Sequence, residues 1–322
     1  QNPPLQIRLK VLLTTCWARI MRAPSRCKSV KHRKQPEGQR MLLKLIAAIS
    51  MLIDHIGYYF GYWLPPDLYF TLRALGRLAF PIFAFYIALG YRRTGHLGRY
   101  FLRLTCFAVL SEIIIRTSHS LAGYGNSGTN VLFTFVAALG FLSGWTLLTS
   151  SWRDRVARLQ PLTNCFGSKD EPDYFQIRYT PGELSLHPVL GMILGTSAMI
   201  ISLCAVIYLD SDYDIYGILT VFIFHLIQNK HCDDTDLTGM LNSSLLYLII
   251  LNLLTLFAYH FLFGLPGRYN YIQFLSIISV FIIYSPRAGR QALYGSKPTA
   301  WKQYLWYIFY PAHIFFLCLL AT

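Results

Sequence analysis

Charged residues are scarce in this chain. They make up 14% of its 322 residues, where a soluble domain carries about 25%, and only 15 are acidic. So few charges over so long a chain argue against a soluble globule. No CxxC pair occurs, and the seven cysteines, at 16, 27, 106, 165, 204, 232 and 318, form an odd and scattered set. Neither a disulfide framework nor a zinc site is predicted from them. His231-Cys232-Asp233-Asp234 has the chemistry of metal ligands, but its members are contiguous and lack the second pair that a tetrahedral site needs, so it reads as a solvated loop. Also missing are GxSxG, HExxH and Walker sequences, which leaves serine-hydrolase, zinc-protease and nucleotide-hydrolase chemistry without support. No internal repeat is seen.

Apolar residues dominate instead. Hydrophobic side chains reach 54%, Phe and Tyr number 22 each, and the mean hydropathy is +0.40. A helix needs about 20 apolar residues to cross a bilayer core about 30 Å thick, because no backbone polar group can stay unpaired in lipid. Nine stretches approach that length, at 43–64, 74–91, 101–116, 130–149, 186–209, 215–229, 240–263, 269–284 and 303–321. Those at 101–116, 215–229 and 269–284 are short and could be tilted or half-inserted. The fold class expected is an all-α, polytopic transmembrane bundle with the lipid bilayer as its first partner.

The net charge is +14. Most of it lies in residues 1–40, which hold ten Lys/Arg against Glu37, so nucleic acid is not predicted as a partner. That segment reads either as an interfacial helix with a polybasic stretch suited to an anionic leaflet or, as favoured, as a basic tail or upstream extension with Met41 as the natural start. Residues 41–322 then form a single transmembrane domain, with 151–185 as its one sizeable loop. Cytoplasmic connections retain Lys and Arg. Here Arg92, Arg93, Arg99 and Arg103 crowd the second connection, Arg153, Arg155, Arg158, Lys169 and Arg178 the fourth, and Arg287, Arg290, Lys297 and Lys302 the last. The alternation predicts an N-in, C-out chain in the cytoplasmic membrane; only Lys230 weakens it.

Ionisable residues inside spans mark functional sites or structural pairs. Asp54 and His55 sit in the middle of the first span, Arg77 in the second, Glu112 in the third, Asn130 and Thr134 at the start of the fourth, and His313 in the ninth beside Tyr310-Pro311. The predicted orientation puts Arg77, Glu112, Asn130 and Thr134 in the outer half, with Asp54, His55 and His313 near the midplane, so that they share a cavity opening outward. Structural readings compete. Arg77 with Glu112 or Asp54 could be a buried ion pair, Glu112 could pair with Arg116 one turn on, and His313 and His225 could be packing residues. Asp54-His55 is the stronger functional signal, since a carboxylate beside an imidazole at mid-membrane brings high cost and little packing benefit. Such a histidine can take a proton from an amine or hydroxyl nucleophile, and Asn130, Thr134 and Tyr310 could donate to an oxyanion formed in acyl transfer. The neighbouring residues 54 and 55 point about 100° apart, so only one faces a given neighbour squarely.

The same residues carry a resemblance. LKLIAAISMLIDHIG (43–57), GRLAFPIFAF (76–85), GYRRTGHLGRYFLRLTCFAVLSE (90–112), NVLFTF (130–135), DYDIYGILTV (212–221) and YIFYPAHI (307–314) resemble the TraX family, membrane proteins named for a conjugation protein that N-acetylates the pilin subunit. Residues 1–40 and 151–185 lie outside it. The resemblance implies acetyl transfer from acetyl-CoA and a distant likeness to multi-span acyltransferases that depend on a membrane-embedded histidine. That role would fall to His55, with Asp54, Arg77, Glu112 and Asn130 as matching positions and His313 as a further catalytic candidate. Acetyl-CoA is the acyl donor it implies, and no metal is predicted. Arg92, Arg93, Arg99 and Arg103, on the face where cytosolic coenzyme A would arrive, and Tyr310 are its candidate binding residues, although topology alone would also place arginines there. The acceptor, an extracytoplasmic protein N-terminus, glycan or lipid, stays open. A proton-coupled transporter or flippase using the same polar residues is the alternative, disfavoured because no inverted repeats are found.

Overall fold

A computed structural model describes residues 42–125, 128–159, 187–231, 236–262, 271–286, 293 and 300–321. The segment 1–40, most of the loop 151–185 and residues 232–234 of the His-Cys-Asp-Asp cluster lie outside them. Among the described residues the chain is helical, apart from turns and one isolated bridge between Thr129 and Ser211.

The helices run in the order α1 Leu42–Phe60, α2 Pro66–Gly76, α3 Ala79–Arg93, α4 Leu97–Leu121, α5 Val131–Leu159, α6 Pro188–Tyr208, α7 Asp214–Lys230 and α8 Leu237–Phe257. A π-helical turn, Ala258–Leu262, continues α8. A 3-10 segment, Tyr271–Ile277, leads into α9 Ile278–Ile283, and α10 Ala300–Leu320 closes the chain. Among the described residues, five helical stretches are long and apolar enough to cross a membrane: Leu42–Phe60, Pro66–Arg93, Val131–Trp152, Pro188–Tyr208 and Leu237–Phe261. Tyr271–Ile283 and Tyr304–Leu320 are shorter apolar helices. The chain is thus a helical membrane protein.

Several expected spans change shape. The second, 74–91, is two helices, because α2 ends at Gly76 and α3 begins at Ala79. The third is longer than expected at 25 residues, and its four charged residues between 99 and 116 explain why an apolar window understates it. The fourth does not stop at 149; α5 runs to Leu159, into what reads as loop from its polar residues. The eighth opens as a 3-10 helix.

Local chemistry accounts for the ends. Pro65-Pro66 starts α2 with Asp67 in its first turn, where proline's missing N–H is harmless and a carboxylate meets the positive end of the helix dipole. Pro188 opens α6 in the same way, and Asp236 caps α8 by accepting from the Gly239 N–H at 2.9 Å. α5 packs most extensively on α6, where Gly144 and Gly195 meet with no room for a Cβ on either. In lipid, where apolar burial gives no drive, such close backbone approach supplies the packing. α3 and α7 form the centre, with Ile82, Phe85, Ala88, Ile218, Val221 and Phe224 almost wholly buried. α7 is a core helix rather than a lipid-facing one. α6 exposes Ile193, Ile200, Ile201 and Ile207, as a helix facing lipid does.

Candidate active site

The break between α2 and α3 positions the first half of the site. Gly76 lies against Asp54 so closely that a Cβ there would overlap its side chain. α2 can therefore press onto the middle of α1, and Arg73 and Arg77, one turn apart on α2 and at its C-cap, both turn toward Asp54. Arg73 Nη1 is 2.7 Å from Asp54 Oδ2 and also donates to the Asp54 carbonyl at 3.3 Å; Arg77 Nη2 is 3.9 Å from Oδ1. The closer partner, Arg73, reads in the sequence as a connection residue. These side chains keep 17%, 18% and 14% of their accessible surface for Asp54, Arg73 and Arg77, while Asp54 Oδ1 and Arg77 Nε are buried with no hydrogen-bond partner among the described residues.

His55 faces elsewhere, as the rotation between neighbours on a helix requires. Its Nδ1 is 2.9 Å from the Met51 carbonyl and 3.0 Å from Nε2 of His313 on α10. His313 Nδ1 in turn lies 2.7 Å from the Phe309 carbonyl. A carbonyl oxygen only accepts, so each Nδ1 carries a proton. His313 Nε2 is then an acceptor from His55 Nδ1–H, and the arrangement is complete with both rings neutral. Nε2 of His55 is left with its lone pair, and no described residue hydrogen-bonds to it. Phe309 stacks on His313 at 4.9 Å and 15°, fixing the second ring. Beyond His55 on the same face of α1, the Tyr59 hydroxyl is 2.7 Å from His119 Nε2.

The turn 209–213 between α6 and α7 supplies the opposite wall. Asp210, Tyr213 and Asp214 all have positive φ, at 44°, 68° and 42°, a left-handed conformation that side chains other than glycine rarely adopt. The strain is held from both sides. Thr129 N–H donates to the Asp210 carbonyl at 3.1 Å and Asp212 N–H to the Thr129 carbonyl at 3.0 Å, while Thr134 donates to the Asp212 carbonyl and, at 3.1 Å, to Ser211 Oγ. Tyr213 stacks on Phe80 with centroids 3.8 Å apart and receives a hydrogen bond from Arg77 Nη1 at 3.4 Å. Asp212 is exposed on this turn, and Arg77, which reaches both Asp54 and Tyr213, draws the turn and α1 around one polar recess. Desolvation there pushes its carboxyl up to about 6; Arg77 opposes the shift, and Glu112 and Asp54 reinforce it.

Glu112 and Asn130 form a joint at the edge of this recess. Glu112 Oε1 accepts from Arg116 at 2.6 Å, and Oε2 accepts from the Asn130 backbone N–H and side-chain amide at 3.0 and 2.8 Å. Asn130 Oδ1 caps α5 by accepting from Leu132 N–H at 3.0 Å, and its amide also donates to the Ala108 carbonyl at 3.0 Å. These polar atoms are engaged in tying α4 to the start of α5. Thr134 is likewise engaged with the 209–213 turn. Of the three expected oxyanion donors, Tyr310 remains. It is buried on α10, with its hydroxyl at the Val131 N–H and near Asp212, Glu112 and Tyr59, which sets it with the recess rather than with the four arginines of the expected coenzyme site. His225 lies apart, 2.8 Å from the Asn229 amide and edge-on to Tyr91.

The four arginines differ from one another. Arg92 donates to the Gln228 carbonyl at the end of α7, and Arg93 to the Leu293 carbonyl. Arg103 lies over the rings of Tyr100 and Tyr307 at 5.7 and 5.8 Å. Arg99 is exposed. No group of three or more His, Cys, Asp or Glu among the described residues is placed to hold a metal ion.

Arg73, Asp212 and Tyr213 are not singled out by sequence reasoning. Arg73 and Arg77 stand four apart, one helical turn, and that spacing is a usable signal. Asp212 and Tyr213 open the block DYDIYGILTV but look like an ordinary polar connection.

Residues 39–158 match the family described as TraX protein. Protein TraX of Escherichia coli is 32% identical over 123 residues, a segment covering 38% of this chain and 46% of that relative. The likeness therefore spans about half the length of the curated relative. No solved structure matches the chain.

Proposed function

We propose that this chain, whose residues 39–158 match the TraX family, is a membrane-bound acyltransferase carrying an acetyl group from acetyl-CoA to an amine or hydroxyl acceptor. The observation that carries this reading is the contact between His55 and His313, made at 3.0 Å across 258 positions of sequence, which leaves His55 Nε2 as an unbonded base beside an ionic cluster. His55 Nε2 takes the proton of the acceptor as its nitrogen or oxygen attacks the thioester carbonyl. The tetrahedral intermediate then expels the coenzyme thiolate, which recovers that proton from the imidazolium, giving the acetylated acceptor and free coenzyme A. His313 accepts the Nδ1 proton of His55 and fixes its tautomer and tilt. Tyr310 donates toward the oxyanion. Asp54, engaged by Arg73 and Arg77, holds α2 against α1 beside this base.

The bundle sits N-in, C-out in the cell membrane with nine spans, by the distribution of Lys and Arg. The recess of Asp54, Asp212 and Tyr213 then opens outward, toward the acceptor. Acetyl-CoA arrives at the arginine-rich end, where Arg99 is exposed while Arg92 and Arg93 are engaged with backbone carbonyls. Purified full-length protein in detergent turns over acetyl-CoA, and His55→Ala lowers that rate by at least about 100-fold, the usual contribution of a positioned general base, with little change in melting temperature. Turnover in His55→Ala equal to wild type defeats the assignment.

A further inference from the structure

A second feature lies on the lipid-facing side of α10, away from the histidine pair. Phe107, Leu110 and Ile114 of α4, with Ile308, Pro311, Ala312, Phe315 and Phe316 of α10, line an apolar groove of about 340 Å³. Leu110, Ile308 and Phe316 are 48%, 54% and 63% exposed, so the groove opens sideways from the bundle. Pro311 leaves the α10 surface without one backbone N–H in its middle, and Ala312 leaves room beside it.

One turn before Phe107, just past the apolar lining, α4 carries Arg103. Arg103, Phe107, Leu110 and Ile114 are spaced four, three and four apart and share one face of α4. The Phe107 ring stacks on Tyr307 at 4.6 Å and 12°, and the Arg103 guanidinium lies over that same Tyr307 ring and bonds its hydroxyl. Arg103 Nε is buried and has no hydrogen-bond partner among the described residues, but the residue as a whole is only half-buried, and Arg99, one turn earlier, is exposed. An arginine at a membrane-facing site is costly without a counter-charge, and a phosphate on its open side supplies one. Eleven residues of helix from Arg103 to Ile114 span about 16 Å, close to the depth of one leaflet, about 15 Å.

We propose that this groove binds one anionic phospholipid from the leaflet at the arginine end, its phosphate on Arg103 and one acyl chain along Phe107, Leu110, Pro311 and Ala312. Net negative charge selects the lipid, because a choline headgroup would bring its own cation against Arg103 and Arg99. The site does not depend on the acyl-transfer reading, and each can fail alone.

Native mass spectrometry of the full chain in detergent tests it, using phosphatidylglycerol and phosphatidylcholine of identical acyl chains. Wild type retains phosphatidylglycerol about tenfold better, the equivalent of one charge-assisted hydrogen bond. Arg103→Gln removes that preference, Arg103→Lys keeps part of it, and Ala312→Phe, which fills the groove, abolishes retention of both lipids. Equal retention of the two lipids by wild type overturns the proposal, as does unchanged retention in Arg103→Gln or Ala312→Phe, or release of the lipid by millimolar inorganic phosphate alone. Should either variant fail to fold, Phe316→Trp decides the matter by another route: its fluorescence is quenched by chain-brominated phosphatidylglycerol more than by chain-brominated phosphatidylcholine, and equal quenching defeats the site.

Discussion

The two ends of this bundle both carry arginines, and they employ them differently. Near Asp54, Arg73 and Arg77 converge on one carboxylate, and Arg77 also reaches Tyr213. At the other end Arg92 and Arg93 close off backbone carbonyls, Arg103 lies on tyrosine rings and Arg99 stays exposed. The basic residues are denser in sequence at the second end, yet only at the first do groups of both signs meet. There the ion pairs lie on regular helices and face a turn of strained backbone at 210–214. A count of positive charges does not separate the two ends; the partners of each charge do.

Three changes probe that contrast, in descending order of effect. Asp54→Ala leaves Arg73 and Arg77 facing each other without a counter-charge, and breaking such a largely buried pair lowers stability by about 3 kcal/mol; Arg99→Gln, at an exposed position, stays within about 0.5 kcal/mol. Thermal unfolding of both in the same detergent measures the difference, and similar losses would erase the distinction between the two ends. Gly76→Ala is next. Its methyl group must push α2 away from Asp54, at about 1–3 kcal/mol for overpacking, and because the Arg73–Asp54 contact opens, turnover falls more than the melting temperature does; a loss of stability with full turnover separates the ionic cluster from the activity.

The smallest effect concerns acidity. The Asp212 carboxyl, pushed up to about 6 when folded, favours the folded state when protonated. Its contribution is fully present below its ordinary value near 4 and is lost as pH rises through 6. Between pH 7 and pH 4.5 the wild type should therefore gain melting temperature relative to Asp212→Asn measured over the same interval. The change stays under about 1 kcal/mol, since solvent screens an accessible carboxylate. Parallel pH profiles for the two proteins would remove Asp212 from the recess.

Much of this arrangement could be read in advance, for definite physical reasons. Helical membrane character follows from composition, because lipid forces long apolar runs. Glu112 with Arg116 follows from their spacing of four. The divergence of Asp54 and His55 follows from helix rotation. Other features lie beyond periodicity. The interruption after Gly76 occurs within a stretch apolar enough overall to pass for one span, and only a helix pressed against Asp54 shows why a glycine is needed there. The partnership of His55 with His313 joins the first and last helices, and nothing local to either announces it. Asp212 depends on three left-handed residues in five, a conformation that tertiary contacts to Thr129 and Thr134 impose. The arginines at 92, 93, 99 and 103 look equivalent by composition, and their different partners come from α7 and α10.

The clasp between Thr129 and Ser211 bears on how this molecule can be divided. The stretch that matches the family ends at residue 158, but Asp212, Tyr213, Tyr310 and His313 all come afterwards. A fragment severed there would hold Asp54 and His55 but neither the turn 209–213 that Arg77 reaches nor the histidine that meets His55. The matched segment is therefore no self-contained unit of this molecule, and a likeness confined to it describes one side of an arrangement that the rest of the chain completes.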